Sequence, residues 1–452
     1  ISVSEKYNSV KDDATYKRLS SQYLPNKKDV FLGDSNDYTK RHEFNDYVDS
    51  AYSVKPDMET ATALTKPNSF NINDYMPTID YDNHTVTANG GITFGNGSSK
   101  LDDFNVTSSS NEQYLVDGKK NYWLTNGLKR SGWVRVSGRT GGYGVVVGDV
   151  VVKNNIDVGG YTTGSYSECT FVVDGDLTLT GELQMRKNSV VIVTGNLTCG
   201  KLFMKDGARL YVKGKITAND MSYDGDSNQK IYCGGNAIIP HNLDSSREFK
   251  IGGNLEAHEL SLTYTNYYFG GSVKCTKFNA ENNDMNLIVD SFECSGTTTL
   301  NNRTSLTVNG NAKTGTINMY NDSVISVCGS MNSTNEQNLF QSSKIIVNGV
   351  ALLGTLNLHG DSKLYATGGA EFAGRINAYD NSIVNVDNAI MCNDLVWLEG
   401  HAKVYANASF TAKGLRATSN NIIQANGITF TQTDDKVNQF GVHCRIDLLY
   451  HQ

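Results

Sequence analysis

Apolar and polar residues alternate from Phe171 to Phe430, in short runs separated by glycine or another turn residue. The run FVVDGDLTLTG begins at Phe171 and the run VIVTGNLTCGK begins at Val191, and the two match position by position. The central small residue recurs every 18 to 21 residues, at positions 175, 195, 214, 235, 253, 271, 291, 310, 329, 349, 369, 388, 408 and 427. Such a period indicates a solenoid, in which each repeat is one coil that buries its apolar face only against its neighbours.

Within each repeat the apolar positions lie two residues apart, which is the spacing of a β-strand. Leu177 and Leu179 follow Gly175 in this way, a second strand begins about seven residues after the glycine, and a third short strand leads into the next one. Tripeptides such as Asn321-Asp322-Ser323 separate the second and third strands and favour bends. The pattern therefore predicts an all-β fold, a parallel β-helix of about 14 or more coils with 18–21 residues per coil.

The first 84 residues carry no repeat. We predict an irregular, partly helical region over residues 1–84, with short helices at Asp12–Tyr23 and Asn45–Tyr52. This region would act as a cap on the first coil, because an open solenoid end exposes unpaired strand edges, or as a stalk. The chain begins with Ile1 rather than methionine, so we expect a processed form or a fragment, and an anchor before Ile1 stays an open alternative.

The β-helix is predicted to span residues 85–432, with irregular first coils in 85–170 and regular repeats in 171–430. The segment Gly160–Cys169 interrupts the period and predicts an inserted loop. The period ends after Thr431, and residues 433–452 are predicted to form a C-terminal cap.

The charged residues are dispersed, and the net charge is −7. This composition argues against a nucleic-acid partner. No run approaches 18 consecutive apolar residues, so we expect no membrane contact within this segment.

The eight cysteines all lie at or after Cys169. Cys199, Cys275 and Cys392 share a repeat position that leucine and alanine fill elsewhere, which predicts small core residues. The other five cysteines lie in different positions and could pair: Cys169, Cys233, Cys294, Cys328 and Cys444. No C-x-x-C pair is present, which argues against a zinc site.

Motifs of nucleophilic, phosphate-binding and zinc-dependent enzymes are absent, and the eight histidines are scattered. We therefore expect no enzyme activity, no cofactor and no metal. A polysaccharide lyase or hydrolase stays a lesser alternative, because β-helices can place carboxylates on one outer face. Two groups of charged residues could form such an active site. The first comprises Asp174, Asp176, Glu182 and Arg186, and the second comprises Glu371 and Arg375.

Tyrosines at outward repeat positions are the candidate ligand-binding residues. An aromatic ring on a flat sheet can stack on a sugar, because the negative face of the ring attracts polarised C–H groups. The coil rise is also close to the length of one sugar residue. The alternative is that these tyrosines have no binding role, because tyrosine favours β-strands and is common on sheet surfaces. The predicted set is Tyr211, Tyr232, Tyr264, Tyr267, Tyr268, Tyr320, Tyr365, Tyr379 and Tyr405.

The repeat V-x-G-x-L-x-L-x-G-x-L, found at Val173–Leu183, resembles the β-solenoid ectodomains of Gram-positive surface proteins. Among these the plan is similar to the tapirins, cellulose-binding adhesins associated with type IV pili. The resemblance covers residues 85–430 and concerns architecture and repeat style, and it carries no residue-level binding motif. It implies an extracellular protein associated with the cell surface.

Together these observations predict a non-catalytic adhesin that binds an insoluble plant polysaccharide, cellulose or a related glycan, through an outer sheet face that carries tyrosines. A purely structural or self-assembling rod is the second hypothesis, and a β-helical lyase or hydrolase is the third.

Overall fold

The chain is an all-β protein whose parallel strands stack as a β-solenoid of about 16 turns, which confirms the predicted fold class. The computed structural model divides it into two compact units: unit 1 comprises residues 1–65 and 277–452, and unit 2 comprises residues 66–276. Within these units the structure describes residues 55–66, 70–89, 100–103, 106, 108–116, 120–137, 141–162, 165–166, 168–224, 228–244, 247–263, 267–281, 283–417, 421–431, 439–440 and 445–448. The helices predicted before residue 53 lie outside these ranges.

Unit 2 contains two stacks of parallel strands and two short antiparallel hairpins. The stack formed by the first and second strands of each coil comprises Gln113–Tyr114, Leu128–Arg130, Val134–Val136, Val150–Val152, Ile156–Val158, Leu177–Met185, Leu197–Lys205, Ile216–Asp224, Ala237–Ile239, Leu243–Asp244, Leu255–Ala257, Glu259–Leu262 and Val273–Cys275. The third strands form a nine-stranded sheet of Asp102–Asp103, Tyr122–Leu124, Gly142–Val147, Cys169–Asp174, Val190–Val193, Arg209–Val212, Lys230–Cys233, Glu248–Ile251 and Tyr267–Phe269. We call this the third-strand sheet of unit 2.

The hairpins of unit 2 lie outside these stacks. Thr78–Asp80 pairs with Thr85–Thr87, and Tyr161–Thr162 pairs with Ser165–Tyr166. The second hairpin occupies the insertion predicted after Gly160. A short 3₁₀ helix, Ile72–Tyr75, precedes the first hairpin. No helix in the described ranges is long and apolar enough to cross a membrane.

Unit 1 repeats the same plan. Its first and second strands are Lys277–Ala280, Phe292–Leu300, Ala312–Met319, Met331–Leu339, Ala351–Leu358, Ala370–Phe372, Ile376–Ala378, Ile390–Cys392, Leu395–Leu398, Ser409–Ala412, Gly414–Ala417, Gly427–Phe430 and Gln439–Phe440. Its third-strand sheet has nine strands, namely Asn286–Val289, Ser305–Val308, Val324–Val327, Lys344–Val347, Lys363–Ala366, Ile383–Val386, Lys403–Ala406, Ile422–Ala425 and Arg445–Leu448.

The register between coils follows the period of the sequence. Ile345 pairs with Leu364, Leu364 with Val384, and Val384 with Val404, so each coil places the same repeat position above the last. These inward side chains are almost fully buried. A continuous apolar column results, which explains why a chain with only 38% hydrophobic residues can still form a core.

The bends between second and third strands adopt the left-handed backbone that their residues favour. Lys187, Asn188, Asn321, Asp322 and Asp380 have φ between +49° and +61°. Asparagine and aspartate tolerate this region better than other non-glycine residues. A buried serine follows the bend in four successive coils of unit 1, namely Ser323, Ser343, Ser362 and Ser382, and Ser189 occupies the equivalent position in unit 2.

No disulfide joins two of the described cysteines. Cys169, Cys233, Cys294 and Cys328 therefore do not pair with one another, and the fifth candidate, Cys444, lies outside the described residues. Cys199, Cys275 and Cys392 are buried in the core as predicted, since each is at most 3% exposed. Burial raises the pKa of the Cys199 thiol to about 12, so this thiol is a poor nucleophile at neutral pH.

Candidate functional site

Two of the predicted tyrosines lie in the third-strand sheet of unit 2, beneath the preceding segment of the chain. Tyr211 and Tyr232 are only 2% and 3% exposed. Tyr75 stacks on Tyr211 at 5.6 Å between ring centroids and meets Tyr232 edge-on at 4.7 Å. Phe70 contacts Tyr232 from the same segment. The tyrosines thus form part of an aromatic cluster that holds residues 70–76 on the sheet.

The predicted tyrosines two coils beyond Tyr232 are only partly described. Tyr268 is half-buried and its ring lies 5.6 Å from Phe70. Tyr267 stacks on Phe269 at 5.3 Å. Tyr264 lies outside the described residues. Both described tyrosines are thus half-buried, and each contacts another ring.

In unit 1, Tyr365 and Tyr405 are 4% and 2% exposed. Tyr365 packs in an apolar cluster with Ala61 and Ile346, and Met58 lies against the same cluster. The expectation that Tyr211, Tyr232, Tyr365 and Tyr405 lie on an open outer face is therefore wrong. The physical reason is that an apolar sheet face gains free energy by burial. Residues 70–76 cover Tyr211 and Tyr232, and Met58 and Ala61 cover Tyr365. Their binding role stays a prediction that this burial disfavours.

The covered tyrosines should lose their phenolic protons at a higher pH than exposed tyrosines do. Burial raises the pKa of Tyr211 and Tyr365 from 10.0 to about 12. A group with a raised folded pKa stabilises the fold below its unfolded value and loses that contribution as the pH rises through its folded value. We therefore expect a second phase of tyrosinate absorbance between pH 10 and 12, accompanied by loss of tertiary structure.

Tyr365→Phe should reduce the amplitude of this late phase by one tyrosine. Complete titration of the protein in one step near pH 10, with the fold intact, would contradict the burial of these rings.

The other two predicted tyrosines belong to a column of stacked rings in unit 1. Tyr320 stacks on Phe340 at 5.2 Å, Phe340 on His359 at 4.8 Å, and His359 on Tyr379 at 4.8 Å. The successive interplanar angles are 3°, 7° and 15°. All four rings are half-buried. We call this set the ring column; it follows directly from one ring at the same bend position in four successive coils.

The geometry of the ring column changes which chemistry it can offer. Because the rings lie nearly parallel at one-coil spacing, each internal face is covered by the next ring. Solvent therefore meets the polarised C–H edges and the polar atoms of Tyr320, His359 and Tyr379. A sugar can contact these edges along the column, but it cannot stack on the faces of the internal rings.

A column of asparagine side chains runs beside the rings. Asn338 Nδ2 donates to Asn318 Oδ1 at 3.0 Å, Asn357 Nδ2 to Asn338 Oδ1 at 2.8 Å, and Asn377 Nδ2 to Asn357 Oδ1 at 2.9 Å. We call these four residues the amide column. Each precedes a member of the ring column by two residues, which places the two columns roughly 7 Å apart on one outer face. All four side chains are half-exposed.

The amide column ends at a tryptophan in the next coil. Asn377 pairs in register with Trp397, and Trp397 pairs with Arg416. The Arg416 guanidinium lies over the Trp397 ring at 5.2 Å, and Trp397 Nε1 donates to Glu399 Oε1 at 2.8 Å. Glu399 also lies near the ring column. Burial raises the pKa of Tyr379, and the negative charge of Glu399 raises it further. An indole and two charged groups thus border the face.

The predicted set contains Tyr320 and Tyr379 but lacks His359, Phe340 and the amide column. The signal was present, since all four rings occupy one repeat position and the four asparagines occupy another. Comparing every residue type at each outward position, instead of tyrosine alone, would have revealed both columns.

Unit 2 carries a charged network in its irregular coils. The carboxylate of Asp157, with its side chain only 3% exposed, accepts from Arg135 Nη1 through Oδ2 and from Arg186 Nη1 through Oδ1, each at 3.0 Å. Arg135 also contacts Glu112 at 3.2 Å. Burial raises the pKa of Asp157 and outweighs the two arginines, which lower it. The arginines lie over Trp133 and Phe203.

The predicted carboxylate clusters are only partly assembled, since Gln184 links two members of the first by donating to Glu182 Oε2 at 3.1 Å and accepting from Arg186 Nη1 at 3.3 Å. Asp174 accepts the hydroxyl of Tyr81 at 2.6 Å, and Asp176 accepts the backbone N–H of Asn196, so both are engaged away from Arg186. Arg375 contacts Asp394 at 3.7 Å. Among the described residues, no group of three or more His, Cys, Asp or Glu side chains could hold a metal ion.

Comparison with protein-family models, with curated proteins and with solved structures finds no match to this chain. The chemistry of the site is therefore the basis for the proposed function.

Proposed function

We propose that this protein is a non-catalytic adhesin, exposed on the outside of a cell, that binds an insoluble plant polysaccharide such as cellulose. The amide column and the ring column of unit 1 would form the binding face. This assignment moves the face away from the covered third-strand sheets, and it retains Tyr320 and Tyr379 from the predicted set.

The observation that carries the proposal is the repetition of hydrogen-bonding groups at coil spacing. An asparagine side chain has two N–H donors and an oxygen with two lone pairs. Asn338 and Asn357 each use one donor and one lone pair within the column. Each therefore keeps one donor and one lone pair for a ligand. A glycan chain lying along the stack would meet one such amide per sugar residue.

The ring column supplies the second contact that a glycan needs. The exposed edges of Tyr320 and His359 give polar atoms, and the edge of Phe340 gives apolar contact for sugar C–H groups. Because the stacked rings restrain one another, the face is ordered before the ligand arrives. Little side-chain entropy is then lost on binding, which favours affinity.

The first experiment separates the proposal from its alternatives. The protein is incubated with microcrystalline cellulose, xylan and pectin, and each supernatant is assayed for remaining protein and for released sugar. We expect retention on at least one of these glycans without new reducing ends or unsaturated products. Release of sugar would replace the proposal with a lyase or hydrolase. Retention on none of the three would favour the structural rod.

A further inference from the structure

A segment of the chain that precedes the repeats is bound to the third-strand sheet of unit 1 through its backbone. Asn348 donates to the carbonyl of Ala61 and accepts its N–H, both at 2.7 Å. Asn309 does the same for Leu64, at 2.9 Å and 3.0 Å. Each side-chain amide thus pairs with one residue of the segment as a strand backbone would. Such contacts recognise an extended chain largely independently of its sequence.

The spacing of the two asparagines matches an extended peptide. They lie two coils apart, which is a distance of about 9.6 Å along the stack. The residues they bind are three apart, and three residues of a polyproline II chain rise about 9.3 Å. Three residues of an α-helix would rise only about 4.5 Å. The site therefore selects an extended conformation.

Side chains add direction to this backbone recognition. Lys344 Nζ contacts both carboxylate oxygens of Glu59, at 3.1 Å and 3.3 Å. Ala61 is 9% exposed and packs on Ile346 and Tyr365. Further along, Asn385 Nδ2 donates to the carbonyl of Pro56 at 3.0 Å. The determinant is thus a linear stretch, residues 56–64, in which Glu59 supplies the ion pair with Lys344 and small apolar side chains supply further contacts.

We infer that this face is a binding site for an extended peptide, and that it accepts residues 56–64 from a second copy of the chain as well as from its own. All contacts between the segment and the face join residues 245 to 329 positions apart in sequence. The determinant is linear, so a second copy offers the same contacts. Own-chain and second-copy binding then differ only in effective concentration. Crowded copies, as on a surface, would exchange segments and link to one another.

Peptide exchange tests the site in the full chain. A protease recognition sequence replaces residues 67–69, the purified protein is cleaved, and a fluorescent peptide of residues 55–66 is added. We expect saturable binding that displaces the fragment 1–66. Asn309→Ala with Asn348→Ala removes four hydrogen bonds and should weaken peptide binding by at least about 30-fold. The matched control, Asn286→Ala with Asn393→Ala, removes two exposed asparagines that do not contact the segment and should leave affinity unchanged.

A charge reversal distinguishes the loss of a specific contact from misfolding of the variant. Lys344→Glu should weaken binding of the native peptide a few-fold, and a peptide with Glu59→Lys should restore it. Equal binding of a scrambled peptide, or no exchange at a large peptide excess, would overturn the peptide site.

The second-copy occupant is tested by light scattering of the uncleaved protein over a concentration series. We expect association that rises with concentration and is lost in the Asn309→Ala, Asn348→Ala variant. A monomer at every concentration would overturn exchange between copies. Neither experiment involves a glycan, so this inference stands or fails separately from the proposed function.

Discussion

Asp157→Ala should lower the free energy of unfolding of unit 2 by about 3–5 kcal/mol, which is the usual cost of removing one partner from a buried ion pair. The carboxylate contacts Arg135 and Arg186, and its removal leaves two partly buried guanidinium groups without their shared counter-charge. Burial raises the pKa of Asp157 despite the two arginines, so the charge of the carboxylate depends on both guanidinium groups, and they in turn depend on it. Urea unfolding followed by tryptophan fluorescence measures this loss.

The measurement can be confined to unit 2, because the three tryptophans of the chain divide between the units. In a Trp397→Phe background, only Trp123 and Trp133 report, and the Arg135 guanidinium lies 4.5 Å from the ring centre of Trp133. Glu112→Ala is the matched control, because Glu112 is 47% exposed and its contact with Arg135 should contribute at most about 1 kcal/mol. Equal losses for the two variants would contradict a buried network centred on Asp157.

Phe372→Ala should destabilise unit 1 by about 3–5 kcal/mol through the cavity it leaves. Phe372 is fully buried and pairs in register with Leu353 on one side and Cys392 on the other. Each coil contacts only its neighbours, so the cavity should loosen the adjoining coils rather than one residue alone. Urea unfolding in a Trp123→Phe, Trp133→Phe background follows Trp397, which lies in an adjoining coil.

Glu371→Ala is the control for this experiment, because Glu371 precedes Phe372 on the same strand and its side chain is exposed on the outer face. We expect a change within about 0.5 kcal/mol. If Glu371→Ala cost as much as Phe372→Ala, the inward and outward assignment of this strand would be wrong.

The solenoid could be predicted because its signal is local and repeated. The alternation of apolar and polar residues around Gly175 predicts the strands of one coil. The same alternation returns every 18 to 21 residues, which predicts that the coils stack. The cover over the third-strand sheets could not be predicted in the same way. Residues 56–64 have no period, and their partners Asn309 and Asn348 lie hundreds of residues away.

This difference explains the error over the tyrosines. Outward orientation follows from strand alternation, and Tyr211 and Tyr365 do occupy outward positions. Exposure depends in addition on what packs against the sheet, which alternation does not encode. The network of Arg135, Asp157 and Arg186 was missed for a related reason, since it begins in irregular coils where repeat positions cannot be aligned by sequence alone.

The binding isotherm on microcrystalline cellulose, compared between the native protein and the Asn338→Ala, Asn357→Ala variant, tests the proposed face most directly. The variant loses one hydrogen bond to the glycan at each substituted asparagine, and each such bond contributes about 0.5–1.5 kcal/mol. The dissociation constant for cellulose should therefore rise about 5- to 150-fold. Circular dichroism checks that the fold is retained, and Asn286→Ala with Asn393→Ala serves as the control and should bind like the native protein. Unchanged binding by the amide-column variant would contradict the account and place any glycan contact elsewhere on the molecule.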